Sequence, residues 1–510
     1  MSITEEHFVQ QSQEANEKRI FDRIGIFDET DRLRKTVLYG PPGAEAYLAQ
    51  LYPKRKSLFF DDMDVSKARD EYEVFQRTLE ILGIDIISAR DTLAKYINPQ
   101  AVFEDRIPTR DELLTALYNR ADDIIRGNQK DRADNPNDYL TPYKLDYIEK
   151  LAKLLDADIA RYGLEKALAL NYELSLNSPM PLGNLIYARD QMAIMMDRRI
   201  IASMKKDIRR KEIPLYEFIY DRVLGFDNPF RINLIPDPQL YAQINAQLQG
   251  QGVDSFKSVV TSPEGETYEG GDHYILDGVV YQGVGARTSF GAAIQVFQEL
   301  KEDLVKYGYR FAIVYDEDAA NRPDDDQMRF MHLDTWSYTA GKREMELYSE
   351  EAKKRRVIFV ESDEHGNFKL VPTGKNYYQF LLDEGYKLYE IPQEEQQDFG
   401  CNNLYVGNLS REEIEGYLTE ERTEETIESQ GCNPVRAQRA GMRGVERFQV
   451  LIPLDVVPTG DTIIMPIDTN TVTINKLLEG GKTLILVPLK ENTRGYGAAH
   501  CMNGQLLRAN

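Results

Sequence analysis

The sequence predicts an α/β protein with a helical stretch inserted into it, and three observations predict this. Short apolar runs alternate with amphipathic helical patterns over 23–91 and again from 181 onward, the rhythm of strands packed on helices. Between them, over 92–180, strand signals become sparse and long patterns of 3.6 period take over. The chain has 510 residues, 42% hydrophobic and 29% charged, the balance of a soluble globular protein with a sizeable core.

The elements follow in order. Residues 1–22 are polar and acidic and read as a tail or a fraying helix. Thr36-Val37-Leu38-Tyr39-Gly40 reads as a strand closed by the turn Gly40-Pro41-Pro42-Gly43. Ala68, Tyr72, Phe75, Leu79 and Leu82 recur at helical spacing, and Ile84 to Ile87 follow as a strand. Similar units recur around 193–203, 273–300, 310–316 and 481–489. Inside the inserted stretch, helices are predicted over 111–125, 143–155 and 164–174. The α/β body is thus read as 23–91 plus 181–510. Within it, 390–445 is an acidic insertion (Glu412-Glu413-Ile414-Glu415, Glu420-Glu421-Arg422-Thr423-Glu424-Glu425) with the composition of a solvated helix or mobile surface segment.

Composition excludes several classes. A net charge of −22 argues against nucleic acid or an anionic membrane surface as a partner and favours approach of a cation. Three cysteines, Cys401, Cys432 and Cys501, form neither a CxxC pair nor a disulfide framework, which points to a reducing compartment. The N-terminal residues hold no apolar signal-peptide core, and no apolar run reaches the ~18 residues of a membrane span. The expected location is cytoplasmic. Gly40-Pro41-Pro42-Gly43 lacks the Gly-Lys-Ser/Thr ending of a phosphate-binding loop, and the cysteines and histidines lack zinc-ligand spacing.

Five strings carry candidate chemistry. Cys501 lies in Gly495-Tyr496-Gly497-Ala498-Ala499-His500-Cys501-Met502-Asn503, where a thiol on a glycine-rich segment reads as a nucleophile or as an inert buried cysteine. His332 and Asp334 are two apart, which on a strand puts both on one face, as a structural pair or as groups meeting one substrate. His332 has few rivals as a general base among five histidines. Glu269-Gly270-Gly271-Asp272 places two acids around a tight turn, read as a plain loop or as a cation site. Arg189-Asp190 reads as an ion pair, and Arg287, after a strand-like run, as a carboxylate grip.

Taken in order, these strings resemble the arginine deiminase family of guanidino-group-modifying enzymes. The resemblance runs from Val37-Leu38-Tyr39-Gly40-Pro41-Pro42-Gly43 and Leu58-Phe59-Phe60-Asp61-Asp62 through Asn184-Leu185-Ile186-Tyr187-Ala188-Arg189-Asp190 and Glu269-Gly270-Gly271-Asp272. It continues through Arg287-Thr288, His332-Leu333-Asp334-Thr335 and Asn402-Asn403-Leu404 to Cys501-Met502. It implies a pseudo-fivefold α/β propeller of ββαβ units with an inserted helical subdomain at 92–180. It also implies that Cys501 attacks the guanidinium carbon, with Asp190 and Asp334 clamping the nitrogens. His332, partnered by Glu269, would protonate ammonia and then activate water. Asn184, Arg209 and Arg287 would hold the amino-acid end of the substrate. No metal or organic cofactor is implied, a homo-oligomer is left open, and the partner is a small cationic guanidino compound. The expected reaction is hydrolysis of L-arginine or a close relative to L-citrulline and ammonia. The alternative is transfer of the amidino group to an acceptor amine. The C-terminal motif departs from the family's usual Gly-Gly-Pro-Arg-Cys-Met-Ser, since His500 stands before the nucleophile.

Overall fold

The computed structural model describes residues 24–140, 147–226, 229–249, 265–316, 329–398, 400–410, 412–413, 422–427, 435–440, 448–453, 458–467 and 471–509. The polar segment 1–22 lies outside these residues.

The chain opens with strand β1 (Leu33–Leu38), which pairs in parallel with β2 (Asp85–Ser88), Val37 opposite Ile87. Helix α1 (Val65–Ile81) makes the crossover that a parallel pair requires. Its N-terminus is fixed by Asp64, whose side chain accepts from the backbone N–H of Ser66 and Lys67. Its apolar face, including Ala68, Tyr72, Phe75 and Leu79, is buried.

The helical stretch contains α2 (Arg110–Gly127), α3 (Tyr147–Tyr162) and α4 (Leu164–Asn171). A capping box of Thr109 and Glu112 starts α2. Leu113, Leu117 and Ala121 of α2 meet Leu151 and Leu155 of α3 and Leu168 of α4 in an apolar cluster that also takes in Ala44 and Leu48. This cluster is tied to the β1 and β2 region by buried charge. Arg90 is fully buried and donates to Tyr39 Oη (2.9 Å), Glu45 Oε1 (2.5 Å) and, on α3, Asp158 Oδ2 (2.6 Å). Arg90→Met leaves buried Glu45 without its cationic partner and Asp158 with Arg69 alone, and a loss of about 3–5 kcal/mol is expected in chemical denaturation.

The remaining strands are β3 (Met192–Met195), β4 (Arg198–Ile201), β5 (Pro229–Arg231), β6 (His273–Leu276), β7 (Val279–Val284), β8 (Arg310–Tyr315), β9 (Ser337–Gly341) and β10 (Glu344–Leu347). Then come β11 (Arg356–Ser362), β12 (Phe368–Asn376), β13 (Lys387–Glu390), β14 (Leu404–Asn408), β15 (Arg422–Ile427), β16 (Val435–Ala440), β17 (Phe448–Pro453), β18 (Asp461–Pro466), β19 (Thr483–Val487) and β20 (Gly504–Arg508). Among the described residues they form five sheets, ordered β2-β1-β20, β3-β4-β5, β12-β11-β8-β7-β6, β13-β10-β9 and β14-β18-β19-β17-β16-β15. Strands and helices are mixed as the sequence predicts, so the α/β class holds. The acidic segment near 390–445 departs from expectation. Its described residues include β15 and β16, an antiparallel pair extending the last sheet to β17, not a solvated helix. Charge composition alone does not tell a strand from a helix.

One regularity positions the site. β20, β3, β6, β9 and β14 are each an edge strand of their sheet. The segments leading into them carry Cys501, Asp190, Glu269, Asp334 and Asn402, respectively.

Candidate active site

Each edge-strand entry adds one group. Gly504 pairs with Val37 of β1, so β20 fixes the turn that ends in Cys501. That turn is held by Asn402, whose Oδ1 accepts from the backbone N–H of Ala498 (2.8 Å) and Cys501 (3.0 Å). The Cys501 carbonyl in turn accepts from the backbone N–H of Arg189, which places Asp190 beside the thiol's segment.

Gly270 and Gly271 are required by close approach. A Cβ on Gly270 would lie 2.1 Å from the Arg189 carbonyl oxygen. One on Gly271 would lie 2.5 Å from His332 Nδ1 and 3.0 Å from Asp334 Oδ1. The Gly-Gly turn therefore lets imidazole and carboxylate converge. Asp272 Oδ1 accepts from the Leu333 N–H (3.0 Å), locking this turn to the His332–Asp334 segment. His332 and Asp334 lie not on a strand but at the start of a 3₁₀ turn, Leu333–Thr335, that precedes β9. They still share one site, because the turn carries Asp334 back toward the imidazole.

His332 Nε2 is 2.9 Å from Glu269 Oε2, and its Nδ1 lies 3.6 Å from Asp190 Oδ1. Burial alone would lower the imidazole pKa. Asp190, the Glu269 hydrogen bond and Asp272 outweigh it and raise the value to about 9. For Glu269, burial works upward, but Arg287, His332 and Arg209 hold the carboxyl well below its usual range. The thiol of Cys501 lies 3.6 Å from Asp334 Oδ2, and burial with the charges of Asp334 and Asp190 pushes its pKa well up. For Asp334, burial is overcome by the His500 hydrogen bond and by the charges of His500, His332 and Arg189, so its carboxyl is lowered.

Cys501, His332, Glu269, Asp190 and Asp334 are thus brought together, each no more than 2% exposed. The other three predicted residues form a supporting layer. Arg209 Nη1 donates to Asp190 Oδ2 (2.5 Å), its Nε to Glu212 (3.0 Å) and its Nη2 to the carbonyl of Asn184 (3.3 Å). Arg287 Nη1 lies 3.6 Å from Glu269 Oε1. The Asn184 amide donates to the carbonyl of Ser57 (2.8 Å). Among the described residues, Asp190, Glu269 and His332 have potential metal-ligand atoms within 4.8 Å of one another. The guanidiniums of Arg209 and Arg287 already supply positive charge to both carboxylates.

Glu29, Asn402 and the inward course of His500 carry no role in the sequence reading. Asn402 stands in the Asn402-Asn403-Leu404 string, and His500 shows only as a departure from a motif. Glu29 has no local signal. Outside the site, Phe60 packs edge-on against Tyr496 and clusters with Met331 and Ala498, and Phe60 also lines a cleft of about 470 Å³.

The family profile of arginine deiminase matches residues 56–234 and 257–441, well over half of the chain. The chain belongs to the arginine deiminase family. Cys501 lies beyond the matched segments, but arginine deiminase of Streptococcus gordonii is 24% identical over 94% of this chain and 97% of its own length. The enzyme of Halobacterium salinarum is 20% identical over 71% of this chain and 80% of its own. Among solved structures, an amidinotransferase from Microseira wollei is 12% identical (TM-score 0.46, covering 96% of this chain and 98% of its own). Dimethylarginine dimethylaminohydrolase of Pseudomonas aeruginosa with citrulline is 13% identical (TM-score 0.43, 93% and 99%). As an arginine deiminase family member, the chain is a hydrolase of amidine carbon–nitrogen bonds. No helix among the described residues is long and apolar enough to cross a membrane.

Proposed function

We propose that this chain hydrolyses the guanidinium of L-arginine, or of a close relative, to L-citrulline and ammonia through a covalent intermediate on Cys501. One observation carries the reading. Asp190 Oδ1 and Asp334 Oδ1 are buried carboxylate oxygens without a hydrogen-bond partner among the described residues, converging beside a thiol and an imidazole. Buried acceptors of this kind require donors, and a planar cation with several N–H groups is the fitting complement.

The chemistry follows from the groups present. The entering positive charge offsets the two aspartates that help keep the proton on Cys501, and that proton leaves to water as the guanidinium binds. The thiolate sulfur forms a bond to the guanidinium carbon, a poor electrophile that needs a strong, oriented nucleophile. His332, charged at neutral pH, gives its proton to the departing nitrogen as the C–N bond breaks and ammonia leaves. Neutral His332 then takes a proton from water. The oxygen bonds to carbon, the C–S bond breaks, and a ureido product is released. Arg209 and Arg287 are read as holding Asp190 and Glu269 in place, with Asn184 orienting Arg209.

The architecture proposed with this reading is a pseudo-fivefold propeller, supported by five sheets that each send an edge strand from the site. Residues 92–180 are read as its inserted helical subdomain.

The test is incubation of the protein with L-arginine, with and without acceptor amines. Ammonia and citrulline in equal amounts are expected in both cases. Ornithine formed only when an amine is supplied would move the reaction to amidino transfer and overturn hydrolysis.

A further inference from the structure

We propose that His500 is a positioning residue that aims Asp334 at the substrate's guanidinium, with Glu29 as its fixed anchor; this rests on the guanidine-hydrolase reading above. The imidazole is fully buried, with Nδ1 2.7 Å from Asp334 Oδ2 and Nε2 3.3 Å from Glu29 Oε2. Glu29 cannot yield, because Arg189 Nη2 (2.8 Å) and Tyr338 Oη (2.6 Å) both donate to it. The ring of Tyr338 lies 3.9 Å from the imidazole, centroid to centroid, and blocks its rotation.

An ionised carboxylate only accepts hydrogen bonds, so at the 2.7 Å contact with Asp334 it is His500 Nδ1 that donates. Its hydrogen bond occupies Asp334 Oδ2 and leaves Oδ1 turned toward the space beside Gly271 and His332. A competitor waits nearby, since Arg189 Nε lies 3.9 Å from Asp334 Oδ2. Without His500, the carboxylate, whose terminal torsion is soft, swings onto that guanidinium and loses its aim. Nucleophile and clamp are also tied together. Asn402 receives the Cys501 N–H on its side chain and the His500 N–H (3.1 Å) on its carbonyl.

Asparagine and glutamine separate the two ends of the imidazole. The amide of asparagine reaches the Nδ1 position and Asp334, whereas that of glutamine reaches the Nε2 position and Glu29. His500→Ala and His500→Gln should each lose on the order of 10²-fold in kcat/KM, chiefly through KM, as a misplaced orienting group does. His500→Asn should recover about tenfold of that loss, with a melting temperature close to that of His500→Gln. A second readout needs no turnover: the rate at which chloroacetamidine, a cationic alkylator, modifies Cys501 relative to neutral iodoacetamide. That ratio should fall in the alanine and glutamine variants and return with asparagine.

Equal kcat/KM and equal alkylation ratios for His500→Asn and His500→Gln overturn the proposal. So does a loss that tracks melting temperature alone. Wild-type protein inert toward arginine, yet with alkylation ratios that follow the pattern above, refutes the deiminase reading and leaves the positioning role supported.

Discussion

Cys501→Ala is expected to abolish citrulline and ammonia formation, lowering kcat by about 10⁴-fold or more, while arginine still raises the melting temperature of the variant. Every later step depends on the bond between sulfur and the guanidinium carbon, and Cys501 is the thiol that lies against the clamp carboxylate Asp334. Cys401 precedes Asn402, and burial with the charges of Glu346 and Glu395 pushes its thiol pKa well up. Binding should survive because the clamp oxygens on Asp190 and Asp334 do not depend on sulfur. Acid-quenched wild-type enzyme should carry a chain heavier by arginine less ammonia, and the variant should not. A variant that retained several per cent of the wild-type rate would rule out covalent catalysis at Cys501.

The sequence made some of this legible for identifiable reasons. Alternating apolar patterns located β1, β2, α1 and the units near 193–203 and 310–316, because burial imposes the period directly. The Gly270-Gly271 pair pointed to close approach, since only a missing Cβ permits His332 to sit where it does. Other features depend on which distant partner each buried charge finds, and no local pattern records that. Arg209 lies against Asp190 and Arg287 against Glu269, partners that sequence spacing does not record. Glu29 and His500 meet across 471 residues of sequence, after β1, β6 and β20 have brought their ends together. Spacing placed His332 and Asp334 on a strand face, whereas a 3₁₀ turn brings them together by a different route.

The kcat/KM for arginine should climb about tenfold per pH unit from neutral pH and level off at about pH 9. In the free protein His332 titrates at about 9, because Asp190, Glu269 and Asp272 overcome the effect of burial. Below that pH it holds the proton that the leaving nitrogen needs, and above it the gain from a more readily lost thiol proton is cancelled by the loss of this one, so kcat/KM levels off. The rising limb belongs to Cys501: burial, Asp334 and Asp190 push its thiol pKa well up, so each productive encounter must release the thiol proton. Glu269→Gln removes one of the carboxylates that raise the imidazole, so the levelling-off should move to lower pH. The same shift affects stability. The folded value, about 9, exceeds the unfolded 6.5, so the charged imidazole stabilises the fold fully below pH 6.5. That contribution is lost as pH rises through 9, and wild-type melting temperature should decline across this window more steeply than that of His332→Gln. A kcat/KM profile that keeps climbing through pH 9, or a Glu269→Gln profile unmoved from wild type, would remove His332 as the proton donor.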